Sequence, residues 1–165
     1  MGEKKIVIRN LDLGTNHEAV AVVITCVDLR LPPSLGGLYE YMIEKGFMPP
    51  VDNPRSAESI IYLLQHIDYL PHFGGGRVWT KGGHTQETVL AQTQLGAALH
   101  KAGRLIIISH STCGASIHNG EEPKNGDWET MKCAELEKAR EVAKQAGVPV
   151  HTLYIDHAAR TMTEV

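Results

Sequence analysis

Two short stretches carry side chains that chemistry can use, and each follows an apolar run. In "VVITCVDLR", residues 22–30, Val22, Val23 and Ile24 lead into Cys26, Asp28 and Arg30. In "LIIISHSTCG", residues 105–114, the run from Leu105 to Ile108 leads into His110 and Cys113. Ligands of open α/β sheets bind outside the carboxyl ends of the strands. If both runs are parallel strands of one sheet, two thiols and an imidazole arrive at the same edge, with a carboxylate and a guanidinium beside them. Cys26, His110 and Cys113 are donors that suit zinc. Structural zinc sites take four protein ligands, whereas catalytic ones take three and leave a position open. Here that fourth position would hold water or be taken by Asp28. Cys26 alone could equally be a core thiol, since unpaired cysteine is among the most buried residue types. The second strand end, with its own donors, favours the ligand reading. Cys133 lies in an amphipathic stretch and reads as core or surface.

The elements that must position these residues alternate between strand and helix. "HEAVAVVITCVD", residues 17–28, is a strand, rich in Val and Ile. "GGLYEYMIEKG", residues 36–46, is a short helix. Residues 55–70 are expected to be helical, with Ile60, Leu63, Leu64 and Ile67 on one face. "GGGRVWTKGG", residues 74–83, reads as two glycine turns around a short strand. Residues 85–103 form a helix with Thr85 as N-cap and Gly103 closing it. "RLIIISHS" is the second buried strand, and a helix from Trp128 ends at Gly147. "VPVHTLYID" is a final strand, and "KKIVIRN" is a short strand or an N-terminal arm. This order predicts right-handed βαβ units: an α/β fold with a mainly parallel β-sheet flanked by helices. Residues 31–73 would then be a long insert between the first and second core strands, of the kind that forms lids or oligomer contacts.

The 165 residues suit one domain spanning 1–165, large enough for a hydrophobic core. With 16 basic and 19 acidic residues the net charge is −3, and no basic patch points to nucleic acid. No run of about 18 apolar residues is present to span a membrane. The first residues lack the apolar core of a signal peptide, and Lys5 and Ile6 do not suit a myristoylation signal. Three cysteines argue against a disulfide framework. A cytoplasmic protein is expected. "GGG" at 74–76 lacks the Gly-Lys-Ser/Thr that would make a phosphate loop.

Taken together, "CVDLR" and, some eighty residues later, "HSTCG" resemble the paired CxDxR and HxxCG motifs of the β-class carbonic anhydrases. The glycine-rich stretch, the helix and "RLIIISHSTCGA" follow in that family's order, so the resemblance covers roughly residues 20–115. It implies a β-carbonic-anhydrase-like fold and a zinc-dependent lyase, a carbonate dehydratase, with one zinc per chain on Cys26, His110 and Cys113. It also implies an Asp28–Arg30 dyad that orients zinc-bound hydroxide for attack on carbon dioxide, giving bicarbonate. In a closed state Asp28 would swing onto the metal. A homodimer or a dimer of dimers is implied, with the site near a subunit interface; "GGLYEYMIEKGFMPP" is expected to supply exposed apolar residues to it.

The sequence departs from the family at two places near the pocket. Leu29 stands where serine is usual, and "TKGG", Thr80 to Gly83, replaces an Arg-Asn-Ala-Gly-like turn. Gly82 and Gly83 could offer backbone N–H groups to a substrate or be turn glycines with positive φ. His84 could relay protons, line the pocket or be a solvated loop residue, and His118 has a similar range of readings. The departures keep two rivals open: a carbon disulfide or carbonyl sulfide hydrolase on the same scaffold, and a non-catalytic zinc-binding or regulatory protein with Asp28 closing the site.

Overall fold

A computed structural model describes residues 18–27 and 34–165. Its sheet contains β1 (Ala21–Thr25), β2 (Ile67–Pro71), β3 (Leu105–His110), β4 (Val150–Asp156) and β5 (Thr161–Glu164). Their spatial order is β2-β1-β3-β4-β5. All neighbours are parallel except β5, which runs antiparallel to β4. The helices are α1 (Leu35–Glu44), α2 (Ala57–Gln65), α3 (Gly83–Leu99), α4 (Gly114–His118) and α5 (Trp128–Ala143). The fold is α/β with a mainly parallel sheet flanked by helices, as expected.

Strand periodicity explains how both faces are covered. Successive side chains of a strand point to opposite faces. Ala21, Val23, Ile106 and Ile108 pack with Leu38, Tyr39, Met42 and Leu63 of α1 and α2. Val22, Ile24, Leu105 and Ile107 pack with Val89 of α3, Leu136 and Ala139 of α5, and Trp79. A strand buried on both sides reads as a continuous apolar run, which is why β1 and β3 stood out.

The strand order locates the crevice. From β1 the chain moves to β2 on one side, then crosses to β3 on the other. Between β1 and β3 the winding reverses, and such a switch point opens a cleft at the carboxyl edge. Ile24 pairs with Ile107, so the two chains leave the sheet side by side.

Several local expectations are corrected. The helix expected over 55–70 stops at Gln65, and Ile67–Pro71 is β2. His66 Nδ1 lies 2.7 Å from the Tyr62 carbonyl at the helix end, and pairing with β1 then captures the next five residues. The second core strand therefore comes earlier, and "GGRVW" is not a strand. Gly75–Trp79 is a 3-10 helix folded against the sheet edge, with Trp79 fully buried. Helix α3 starts at Gly83 rather than after Thr85, and its left-handed exit falls on Lys101 (φ 55°) rather than Gly103. The apolar residues of "GGLYEYMIEKGFMPP" are not an exposed patch. Leu38, Tyr39, Tyr41, Met42 and Met48 are buried in the chain's own core. Strand β5 was not anticipated, because Arg160 (φ 58°) stands where a turn glycine would have signalled the hairpin.

Candidate metal centre

Cys26 is the first residue past β1, His110 ends β3, and Cys113 caps α4 after a three-residue step. The tight turn between His110 and Cys113 needs Thr112 at φ 51°, a left-handed conformation uncommon for a β-branched residue. That turn brings both donors back over the β1 end. Cys26, His110 and Cys113 are buried, and their ligand atoms all lie within 4.8 Å of one another.

The two sulfurs are 3.9 Å apart. A disulfide needs about 2.05 Å. Two sulfurs each about 2.3 Å from one tetrahedral zinc would stand about 3.8 Å apart. The spacing therefore fits a shared metal. The donor chemistry fits too, since thiolate and imidazole are zinc's preferred partners. Cys26, His110 and Cys113 could hold a metal ion.

The surroundings prepare each donor. Gly74 N–H donates to Cys26 Sγ at 3.4 Å. The Cys113 thiol is pushed well below its ordinary pKa, first by its hydrogen bond with Cys26, then, against the opposing effect of burial, by His110 and the Ser116 backbone N–H. His110 Nδ1 lies 2.8 Å from the Ser111 carbonyl. Nδ1–H donates there, which puts the lone pair on Nε2, the tautomer a metal ligand needs.

His157 escaped the sequence reading. It follows β4, its Nε2 lies 3.2 Å from His110 Nδ1, and the two rings are 5.0 Å apart. Its backbone N–H donates to Ser111 Oγ at 2.9 Å. The signal was present in "LYIDH", a polar pair ending another apolar strand at the same edge. Beside it opens a cavity of about 590 Å³ lined in part by Tyr41, Arg55, Asp156, His157 and Arg160.

The Gly74 turn is clamped from outside. Arg77 forms a two-pronged pair with Glu121 at 2.6 and 3.0 Å, and Lys81 joins the same carboxylate. Glu121 N–H in turn donates to the Ser116 carbonyl at 2.9 Å, tying this clamp to the Cys113 segment. The Arg77 guanidinium, working against partial burial and helped by Lys81, brings the Glu121 pKa down to about 2.

Asp28 and Arg30 lie outside the described residues. Gly82 (φ 69°) and Gly83 (φ 67°) adopt left-handed backbone at the start of α3, as turn glycines do. His84 is exposed in the first turn of α3, and His118 is exposed at the end of α4. Neither belongs to the Cys26–His110–Cys113 group.

No family model and no curated protein sequence matches the chain. Among solved structures, it is similar to the β-carbonic anhydrase CafA of Aspergillus fumigatus at 13% identity, covering 91% of this chain and 76% of that one, with a TM-score of 0.47. A structure from work on two tetrameric β-carbonic anhydrases of Sordaria macrospora is 14% identical, with coverage of 91% and 82% and a TM-score of 0.48. A carbon disulfide hydrolase in its apo form is 10% identical, with coverage of 90% and 79% and a TM-score of 0.40. Likenesses this distant say nothing of activity. No described helix is long and apolar enough to cross a membrane.

Proposed function

We propose that the chain is a zinc enzyme that reversibly hydrates carbon dioxide to bicarbonate. The observation that supports this most is the buried Cys26–His110–Cys113 group at the switch point, with its sulfurs 3.9 Å apart. Its residues are those of the paired CxDxR and HxxCG motifs. Zinc, bound once per chain, would supply a source of hydroxide near neutral pH by lowering the pKa of water from about 15.7 to about 7.

The protein's own groups have separate tasks. Cys26, His110 and Cys113 hold the metal. Two thiolates donate charge and weaken its acidity, and the N–H groups of Gly74 and Ser116 draw some of that charge back. The Ser111 carbonyl fixes the His110 tautomer. Arg30 would keep Asp28 ionised, and Asp28 would orient the nucleophile or, in a closed state, take the fourth position on the metal. Gly82, Gly83 and His84 would border the substrate.

The departures at Leu29 and at Thr80–Gly83 favour one second reading, hydrolysis of carbon disulfide or carbonyl sulfide by the same centre. We also propose a homodimer or dimer of dimers. Its contact is drawn to the β2 edge, an end strand among the described residues, flanked by exposed Ile61, Phe73, Leu95 and Leu99.

The test is stopped-flow carbon dioxide hydration from about pH 6.5 to about pH 9, on protein of known zinc content. Fast turnover with zinc near one per chain supports the proposal, and turnover confined to alkaline pH assigns Asp28 as a cap. Asp28→Asn should then keep zinc and lose turnover by about 10–100-fold. One zinc per chain with no hydration at any pH would overturn it and turn the search to sulfur-containing substrates.

A further inference from the structure

Helix α5 presents a charged pair to the interior directly behind the metal centre. Lys132 is fully buried, and its Nζ donates to Ser116 Oγ at 2.8 Å and to Glu135 Oε2 at 3.0 Å. Ser109 Oγ donates to the other carboxylate oxygen, Glu135 Oε1, at 2.9 Å. Ser109 Oγ also accepts the Gly76 N–H at 3.1 Å. A surface pair at this helical spacing contributes little. Burying one is costly, and apolar residues of similar volume are often as good or better for stability.

What sets this pair apart is where its bonds go. Ser109 immediately precedes His110. Ser116 lies one turn after Cys113 and gives its backbone N–H to that sulfur. Gly76 lies two residues after Gly74, whose N–H reaches Cys26 Sγ. The Lys–Glu pair is thus bonded directly to the segments of His110 and Cys113, and through Ser109 it reaches Gly76 and the turn that faces Cys26. The sequence concealed this: "WETMKCAELEKAREVA" carries its charges as a solvated helix would, and only packing shows that Lys132 points inward.

We infer that Lys132 and Glu135 are positioning residues for the metal centre, setting the His110 strand end, the Cys113 turn and the Gly74 turn through Ser109, Ser116 and Gly76. This rests on the metal-centre reading above. Neither residue would touch the metal. Their effect reaches it through the serines, by geometry.

The test compares wild type, Ser116→Ala, Lys132→Met and the double variant. Zinc affinity is measured by chelator competition, folding by the melting temperature of the metal-free protein, and geometry by the visible spectrum of the cobalt-substituted form. Ser116→Ala should lose about 10-fold in zinc affinity and shift the cobalt bands; its metal-free melting temperature should fall as well, because the buried Lys132 ammonium loses an acceptor. Lys132→Met should lose about 10–100-fold, and the double variant no more than Lys132→Met alone. Should Lys132→Met fail to fold, Ser116→Ala decides alone. Zinc affinity within about twofold of wild type in Ser116→Ala, or additive losses in the double variant, would overturn the inference and leave the metal centre standing. Wild-type protein that takes up no zinc would overturn both.

Discussion

Gly75→Ala is the sharpest perturbation of the architecture that serves the site. Gly75 has φ 53°, and a Cβ built there would stand 2.2 Å from the Ile108 carbonyl oxygen and 3.2 Å from the Cys26 nitrogen. Both neighbours are backbone, one in β3 and one just past the end of β1, and cannot swing aside. The left-handed conformation alone costs alanine about 1–2 kcal/mol. The overlap with Ile108 must be relieved by about 1 Å, which lifts the 3-10 helix off the sheet edge. That movement breaks the bonds from Gly74 N–H to Cys26 Sγ and from Gly76 N–H to Ser109 Oγ. At about 1 kcal/mol each, they bring the total to about 3–4 kcal/mol. Urea denaturation of the metal-free protein would show this as a lower midpoint at unchanged slope. Zinc affinity should fall as well, because Cys26 loses a donor that stabilises its thiolate. A variant within about 1 kcal/mol of wild type, with wild-type zinc affinity, would refute the close-approach argument.

Two further perturbations test neighbouring parts of the account. Leu38→Ala, at a fully buried position of α1, should cost about 2–5 kcal/mol by urea denaturation and leave the oligomeric state unchanged; dissociation at unchanged stability would return α1 to an interface role. Glu121 has a folded pKa of about 2, against 4.5 ordinarily, so its clamp is fully stabilising above about pH 4.5 and is lost as pH falls toward 2. Solvent exposure limits its contribution to about 1 kcal/mol. Glu121→Gln should therefore lose that much at pH 7 and show a shallower acid limb in urea melts; parallel pH profiles for the two proteins would remove the clamp from the ledger.

The parts that were legible in the sequence share one property. Strands β1 and β3 are covered on both faces, so their apolar runs are unbroken, and polar residues at their ends mark the edge of the sheet. The donors Cys26, His110 and Cys113 followed from that edge alone. Edge elements were harder. Strand β2 carries intermediate side chains and follows a helix without a glycine or proline break, so its period-2 pattern was absorbed into the helical one. The 3-10 helix at Gly75–Trp79 depends on backbone approach to Ile108 and Cys26, which no local pattern encodes. Lys132 and His157 were missed for a related reason: each gains its role from a partner far away in sequence, Ser116 for one and His110 for the other.

X-ray absorption at the zinc edge, on wild type and Cys113→Ser loaded with one equivalent of metal, tests the central claim most directly. The account predicts a wild-type first shell with two sulfurs at about 2.3 Å and nitrogen or oxygen at about 2.0–2.1 Å. In Cys113→Ser it predicts a single sulfur, or metal too weakly held to stay. A wild-type shell of nitrogen and oxygen alone, or two sulfurs persisting in Cys113→Ser, would contradict it.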